Sequence, residues 1–223
     1  MQKPTIDQYL VATCLFTIDD FNILYRGYNK EDLKKEADEK FNEIDIAIRL
    51  GYPFRQNARY TGGDNKKGKK AQKINHDLYI EPHNFRVEIK YLRNWLSSSD
   101  TWSVSMDWSR FQQDFNWLMD EIDYNGNGKT AFVIGWFNCV ESFSQLMQLG
   151  TGGGAYPLAD EKKLPYFPFL IRGREPARAK DLKYNYDLAY KVQTINQIGT
   201  RKGEYHCMFL GSESDCFHFA IYY

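Results

Sequence analysis

Asp77, Glu88 and Lys90 are the residues of this chain whose types and spacing best suit chemistry. Two carboxylates can hold a hard divalent cation through oxygen. An ammonium beside them can stabilise phosphate charge or orient an attacking water. If a strand carbonyl at Ile89 adds a further oxygen, these are the parts of a phosphodiesterase site using Mg2+, with Mn2+ able to replace it. The same pattern also has a plain explanation, because alternating charges on a strand edge keep that edge soluble. The elements that position the three residues therefore matter more than the triplet.

The spacing predicts a hairpin. Phe85, Val87, Ile89 and Tyr91 alternate with Arg86, Glu88 and Lys90, so a strand there sends apolar and ionisable side chains to opposite faces. Leu78 and Ile80 repeat the pattern upstream, and Pro82-His83-Asn84 supplies turn chemistry between the two runs. Ahead of them, Asn29 is a candidate cap for one helix that runs to Gly51, with Leu33, Ala37, Phe41, Ile44 and Ile48 as its apolar stripe. Gly51 would end it as a left-handed glycine. After the hairpin, Trp108, Phe111, Phe115, Leu118, Met119 and Ile122 predict a helix over 107–124, and 130–137 reads as a strand buried on both faces.

Asp77 followed by Glu88-x-Lys90 resembles the bipartite signature of the PD-(D/E)XK nuclease superfamily, over roughly 36–113 and in an α-β-β-β-α-β order. Leu50-Gly51-Tyr52 and Arg55-Gln56-Asn57-Ala58-Arg59 are similar to the entry into that family's core. Asn75-His76 stand where its name leads one to expect proline. The resemblance implies an α/β fold of restriction-endonuclease-like or Holliday-junction-resolvase-like type. It also implies a Mg2+-dependent endonuclease acting on nucleic acid, DNA rather than RNA, for which a homodimer would supply the two sites that double-strand cutting needs. Its catalytic residues would be Asp77, Glu88 and Lys90. Its metal ligands would be Asp77, Glu88 and Ile89, joined by a glutamate of the first helix, Glu39 or Glu43. Gln112, on the later helix, would approach the phosphate. The alternative is a catalytically inactive module on the same scaffold that binds nucleic acid or protein.

The chain has 223 residues, 43% of them hydrophobic, enough to bury a core. The organisation expected is a helical preface over 1–28, a nuclease-like core over 29–149 and a C-terminal extension with a hairpin over 150–223. Lys and Arg total 29, as do Asp and Glu, so a nucleic-acid partner must be drawn by local patches. Lys66, Lys67, Lys69, Lys70 and Lys73 lie in a glycine-rich stretch before Asp77, and Arg172 and Arg174 form a second basic patch. Either can track a phosphate backbone or simply be solvated. Ser142 to Leu149 reads as a short helix. Residues 205–210 and 216–222 read as a hairpin that could bring His206, Cys207, Cys216 and His218 together, although hooks of the usual zinc spacing are missing. Four irregularly spaced cysteines imply no disulfide framework, and no apolar run reaches membrane-spanning length, so a cytoplasmic location is expected.

Overall fold

The computed structural model describes residues 5–60, 77–93, 108–124, 129–151 and 157–223. It is an α/β fold with four α-helices among these residues and a mixed seven-stranded sheet. The helices are α1 (Ile6–Leu24), α2 (Lys30–Glu39), α3 (Glu43–Gly51) and α4 (Trp108–Tyr124). The large sheet takes β1 (Ala58–Tyr60), β2 (Leu78–Ile80), β3 (Phe85–Tyr91) and β4 (Lys129–Phe137) from the first part of the chain. A small two-stranded sheet follows, made of β5 (Leu170–Ile171) and β6 (Lys183–Tyr184). Strands β7 (Val192–Ile198), β8 (Arg201–Leu210) and β9 (Phe217–Tyr222) complete the large sheet in the order β1-β2-β3-β4-β9-β8-β7. Only β3 and β4 pair in parallel, and α4 lies on the connection between them.

The predicted hairpin is present, with Leu78 opposite Val87 and Ile80 opposite Phe85. Strand β3 alternates strictly between buried and half-buried residues, as its sequence pattern requires. Its apolar residues face the side covered by α1 to α3. On that side Phe21 of α1 stacks on Phe137 of β4 at 5.5 Å, and the Tyr91 hydroxyl donates to the Ala37 carbonyl at 2.9 Å. Arg86, Glu88 and Lys90 face α4, whose Phe111 and Phe115 pack on Phe132 of β4. The C-terminal hairpin joins β4 through β9, with Phe132 opposite Tyr222, so the extension supplies three strands of the main sheet.

The single helix expected from Asn29 to Gly51 is two helices. Asn42 caps the second, its side-chain oxygen accepting from Ile44 N at 2.9 Å and Asp45 N at 3.3 Å, while Asp45 accepts from Asn42 N at 3.0 Å. The break resets the helical phase. Leu33, Ala37 and Phe41 are buried, and beyond the break Ile46, Ala47 and Leu50 face the core while Ile44 and Ile48 are exposed. Gly51 is right-handed at φ −81°, so a left-handed turn does not explain it. The reason is space: a Cβ there would lie 2.4 Å from the Tyr60 hydroxyl. The short helix expected over 142–149 is only a 3-10 turn at Phe143–Gln145. Helix α1 runs unbroken through Asp19 and Asp20, both of which are exposed.

His218 is fully buried on β9 among Trp136, Tyr184, Tyr186 and Phe209. Its Nε2 lies 2.9 Å from the Ser212 carbonyl, and its Nδ1 has no partner among the described residues. A Cβ on Gly211, at φ +144°, would come 2.1 Å from the same ring. Burial pulls the His218 pKa down to about 4, with the Ser212 carbonyl and Asp215 pulling it up. A base depressed this way takes up its proton more readily unfolded, so its contribution is complete above about pH 6.5 and lost as pH falls toward 4. We expect thermal unfolding at pH 4.5 and at pH 7.5 to differ by about 2 kcal/mol less in His218→Phe than in the wild type. An equal pH dependence in the two proteins would refute this role.

Candidate active site

Strand β2 begins at Leu78, so β3 runs past it, and the backbone N–H groups of Ile89 and Tyr91 need other acceptors. Two carboxylates take them. Asp77 Oδ2 accepts from Ile89 N at 2.8 Å, and Glu43 Oε2 accepts from Tyr91 N at 3.0 Å. Each acid is thereby fixed at the rim of the sheet by one oxygen. Asp77 is held at the other end as well, since its own N–H donates to the Val87 carbonyl at 3.0 Å. Glu43 owes its place to the helix break, which makes it the first residue of α3, where the helix N-terminus favours a negative charge.

Lys90 lies between two helices. Its Nζ is 3.7 Å from Glu43 Oε2 of α3 and 3.4 Å from Asp114 Oδ2 of α4. Asp114 Oδ2 is buried and makes no hydrogen bond, so its link to Lys90 is an ion pair of looser geometry. Two residues before Lys90 on the same face is Glu88. Two residues further, Arg86 pairs with Glu121 of α4 at 2.7 Å. Among the described residues nothing donates a hydrogen bond to the Glu88 carboxylate.

Four carboxylates therefore surround one ammonium, largely away from solvent. Burial raises the Asp77 pKa to about 6 against the pull of the Ile89 N–H. Burial, then the charges of Asp77 and Asp114, raise Glu88 to about 9 despite Lys90. Burial likewise lifts Asp114, with Lys90 pulling it down. For Lys90, burial favours the neutral amine, but Glu43, Asp114, Glu88 and Asp77 outweigh it and the pKa is raised. The ammonium is thus held charged. At neutral pH a proton on Glu88 offsets part of the crowded negative charge, and a divalent cation is the kind of charge that could stand in for that proton.

Of the sequence-predicted residues, Asp77, Glu88, Lys90 and Glu43 converge. The backbone of Ile89 reaches Asp77, while its side chain is buried on the opposite face. Glu39 does not join them: it is exposed at the end of α2, on the far side of the break from Glu43. Gln112 does not either, because two residues along a helix turn it to the other flank from Asp114, where it contacts Tyr166. Asp114 is the residue that sequence reasoning missed. Its signal was a half-buried acid on the flank of the α4 stripe, four residues before the apolar Leu118.

Arg172 and Arg174 are committed elsewhere. Arg172 pairs with Glu161 and with Glu175, the latter at 2.8 Å, and Arg174 Nε lies 2.6 Å from Asp181. Lys66, Lys67, Lys69, Lys70 and Lys73 lie outside the described residues. Among the described residues no group of three or more His, Cys, Asp or Glu side chains is placed to hold a metal ion, zinc at the C-terminal hairpin included. The donor set that remains is two carboxylates, Asp77 and Glu88, beside a backbone carbonyl. That set suits Mg2+, which commonly takes one or two carboxylates and keeps several waters. No described helix is long and apolar enough to cross a membrane.

Glu88 should cost stability for as long as its charge is unbalanced. In chelator at pH 9.5, Glu88→Gln is expected to raise the melting temperature by about 3 °C or more, since about 1 kcal/mol shifts a domain of this size by 2–4 °C. A melting temperature at or below the wild-type value, read by circular dichroism, would contradict the unpaired placement. Comparison with known families, with curated proteins and with solved structures finds no match to this chain.

Proposed function

We propose that the protein is a Mg2+-dependent nuclease that hydrolyses phosphodiester bonds, with DNA as its substrate, on a restriction-endonuclease-like core. The observation that carries this reading is the meeting of Asp77, Glu88 and Lys90 at one rim of β3, with Glu43 and Asp114 holding the lysine. The order α3, β1, β2, β3, α4, β4 supports it, because it follows the α-β-β-β-α-β order of the nuclease family the sequence resembles.

Asp77 and Glu88 would hold Mg2+, with Mn2+ as a substitute, and the Ile89 carbonyl stands next to them in the chain. Such a cation would supply Lewis-acid stabilisation to a phosphodiester and make a nearby water more acidic. Asp77 has one oxygen pinned by the Ile89 N–H and the other left for that role. Glu88, raised to about 9 by burial, would have to release its proton to solvent in order to hold that cation. Lys90 stays protonated among its carboxylates, so it acts by orienting the attacking water or neutralising charge that develops on the phosphate. Glu43 and Asp114 fix where that ammonium stands. A homodimer would bring two such sites to the two strands of a duplex.

Plasmid, single-stranded DNA and RNA incubated with Mg2+ or with chelator test the reading. DNA cleavage that the chelator abolishes is expected. A mobility shift with no cleavage would point to a binding module, and neither result would remove nucleic acid from the account. Lys90→Ala should lower cleavage by about 100-fold or more with the fold and DNA binding intact. Near-wild-type turnover in that variant would sink the assignment. Asp77→Ala should weaken Mg2+ binding, followed by calorimetric titration.

A further inference from the structure

The segment after Gly150 builds a cleft on the flank of α4 turned away from Asp114. Its volume is about 710 Å³, within the range of small-ligand sites. Trp108 and Gln112 of α4 form one wall, and Lys162, Lys163 and Tyr166 form the second. The turn between β7 and β8 closes the third side with Gln197 and Thr200.

The walls are held in place by specific contacts. Tyr166 is buried, its carbonyl accepts from the Tyr222 hydroxyl at 2.7 Å, and its ring stands edge-on to Trp108 at 4.9 Å. Lys163 is only 9% exposed. Its ammonium donates to the Gln148 and Gly150 carbonyls at 3.0 and 3.3 Å and stands 5.4 Å from the centre of the Trp108 ring. The turn is tied to α4 by Arg201, which lies 2.5 Å from Asp120 and 3.8 Å from Asp123. Within the turn, Gln197 donates to the carbonyl of Gly199, which takes φ +60°.

The lining is aromatic inside and amide-bearing along its sides, with Asp160 paired to Lys163 at 3.8 Å and exposed Lys162 at the rim as the cation left for a phosphate. Gln112 bonds the Tyr166 hydroxyl and Gln197 bonds Gly199, yet each amide has two donors and two acceptor sites and keeps capacity to spare. That chemistry suits a flat heterocycle with donors and acceptors on its edge and a phosphate directed outward. Six residues of α4 separate Trp108 from Asp114, about 9 Å along the helix axis. The cleft also lies across the helix from Asp114, about 10 Å with side chains, so about four steps of a stacked strand, at about 3.4 Å each, cover the separation.

We propose that this cleft binds one unpaired nucleotide of the substrate strand, which makes DNA with a single-stranded or frayed segment beside the cut the substrate class. The substrate assignment rests on the nuclease reading, whereas nucleotide binding itself requires neither metal nor cleavage. Isothermal titration in chelator with each of the four deoxynucleoside monophosphates, with orthophosphate and with glucose tests it. At least one nucleotide should bind with a Kd of about 1 mM or tighter. Gln112→Ala and Gln197→Ala should each weaken that binding at least about fivefold, equivalent to roughly 1 kcal/mol. Absence of nucleotide binding, equal binding of orthophosphate or glucose, or unchanged affinity in both variants overturns the proposal. DNA cleavage without nucleotide binding removes the cleft and leaves the nuclease reading standing. Nucleotide binding without cleavage does the reverse.

Discussion

Because β3 and β4 run parallel, the chain between them must cross the sheet, and α4 is the part of that crossing that lies over Arg86, Glu88 and Lys90. Charged side chains on a strand that paired only with hairpin neighbours could point into solvent. Under a helix they must be answered from it. Arg86 and Lys90 are four residues apart, about 13 Å along a strand, and Glu121 and Asp114 are seven apart, about 10.5 Å along a helix. The two spacings are close enough for both pairs to form, Arg86 with Glu121 and Lys90 with Asp114. Glu88 lies between them with no counterpart on α4 among the described residues.

Half-buried charges arranged this way are a poor route to stability. Desolvation cancels most of the Coulomb attraction of an ion pair, and well-packed apolar residues commonly do as well or better. Tyr91, Phe41 and Phe137 show what the other face of the same strand does with the same area, packing ring against ring at 5.2 to 6.4 Å. A polar column with Glu88 at its centre therefore calls for something other than packing to account for it; at neutral pH a proton compensates that acid, and in the proposed function a bound cation would do so. The break between α2 and α3 belongs to the same account, since a continuous helix would not place Glu43 at a helix N-terminus facing β3.

Strand patterns were the most legible part of the sequence. The alternation in β3 and the unbroken apolar run of β4 depend on a period of two and on local turn residues, and both elements formed as expected. The helix over 29–51 misled because Ile44 and Ile48 continue the apolar spacing, although Asn42 and Asp45 between them carry a capping box that overrides it. Glu39 against Glu43 could not be decided without that break. Asp114 was hidden for a different reason: an acid on a helix flank looks solvated until the strand beneath it is known. Arg172 and Arg174 read as a phosphate patch because, although Glu161, Glu175 and Asp181 are near in sequence, spacing alone does not show that the loop turns these acids onto the arginines.

The short reach of β2 gives the cluster its rigidity. Had β2 extended four residues further back in the same register, strand backbone could have taken the N–H groups of Ile89 and Tyr91, and Asp77 and Glu43 would have had no fixed position. As built, each carboxylate spends one oxygen on a backbone donor, a charge-assisted bond stronger than a neutral one, and so loses little further freedom when it binds a ligand. The same bonds set a limit. They stabilise the ionised acids only in part, since burial still raises the Asp77 pKa to about 6. The backbone thus fixes where the acids stand, while burial decides how readily they ionise.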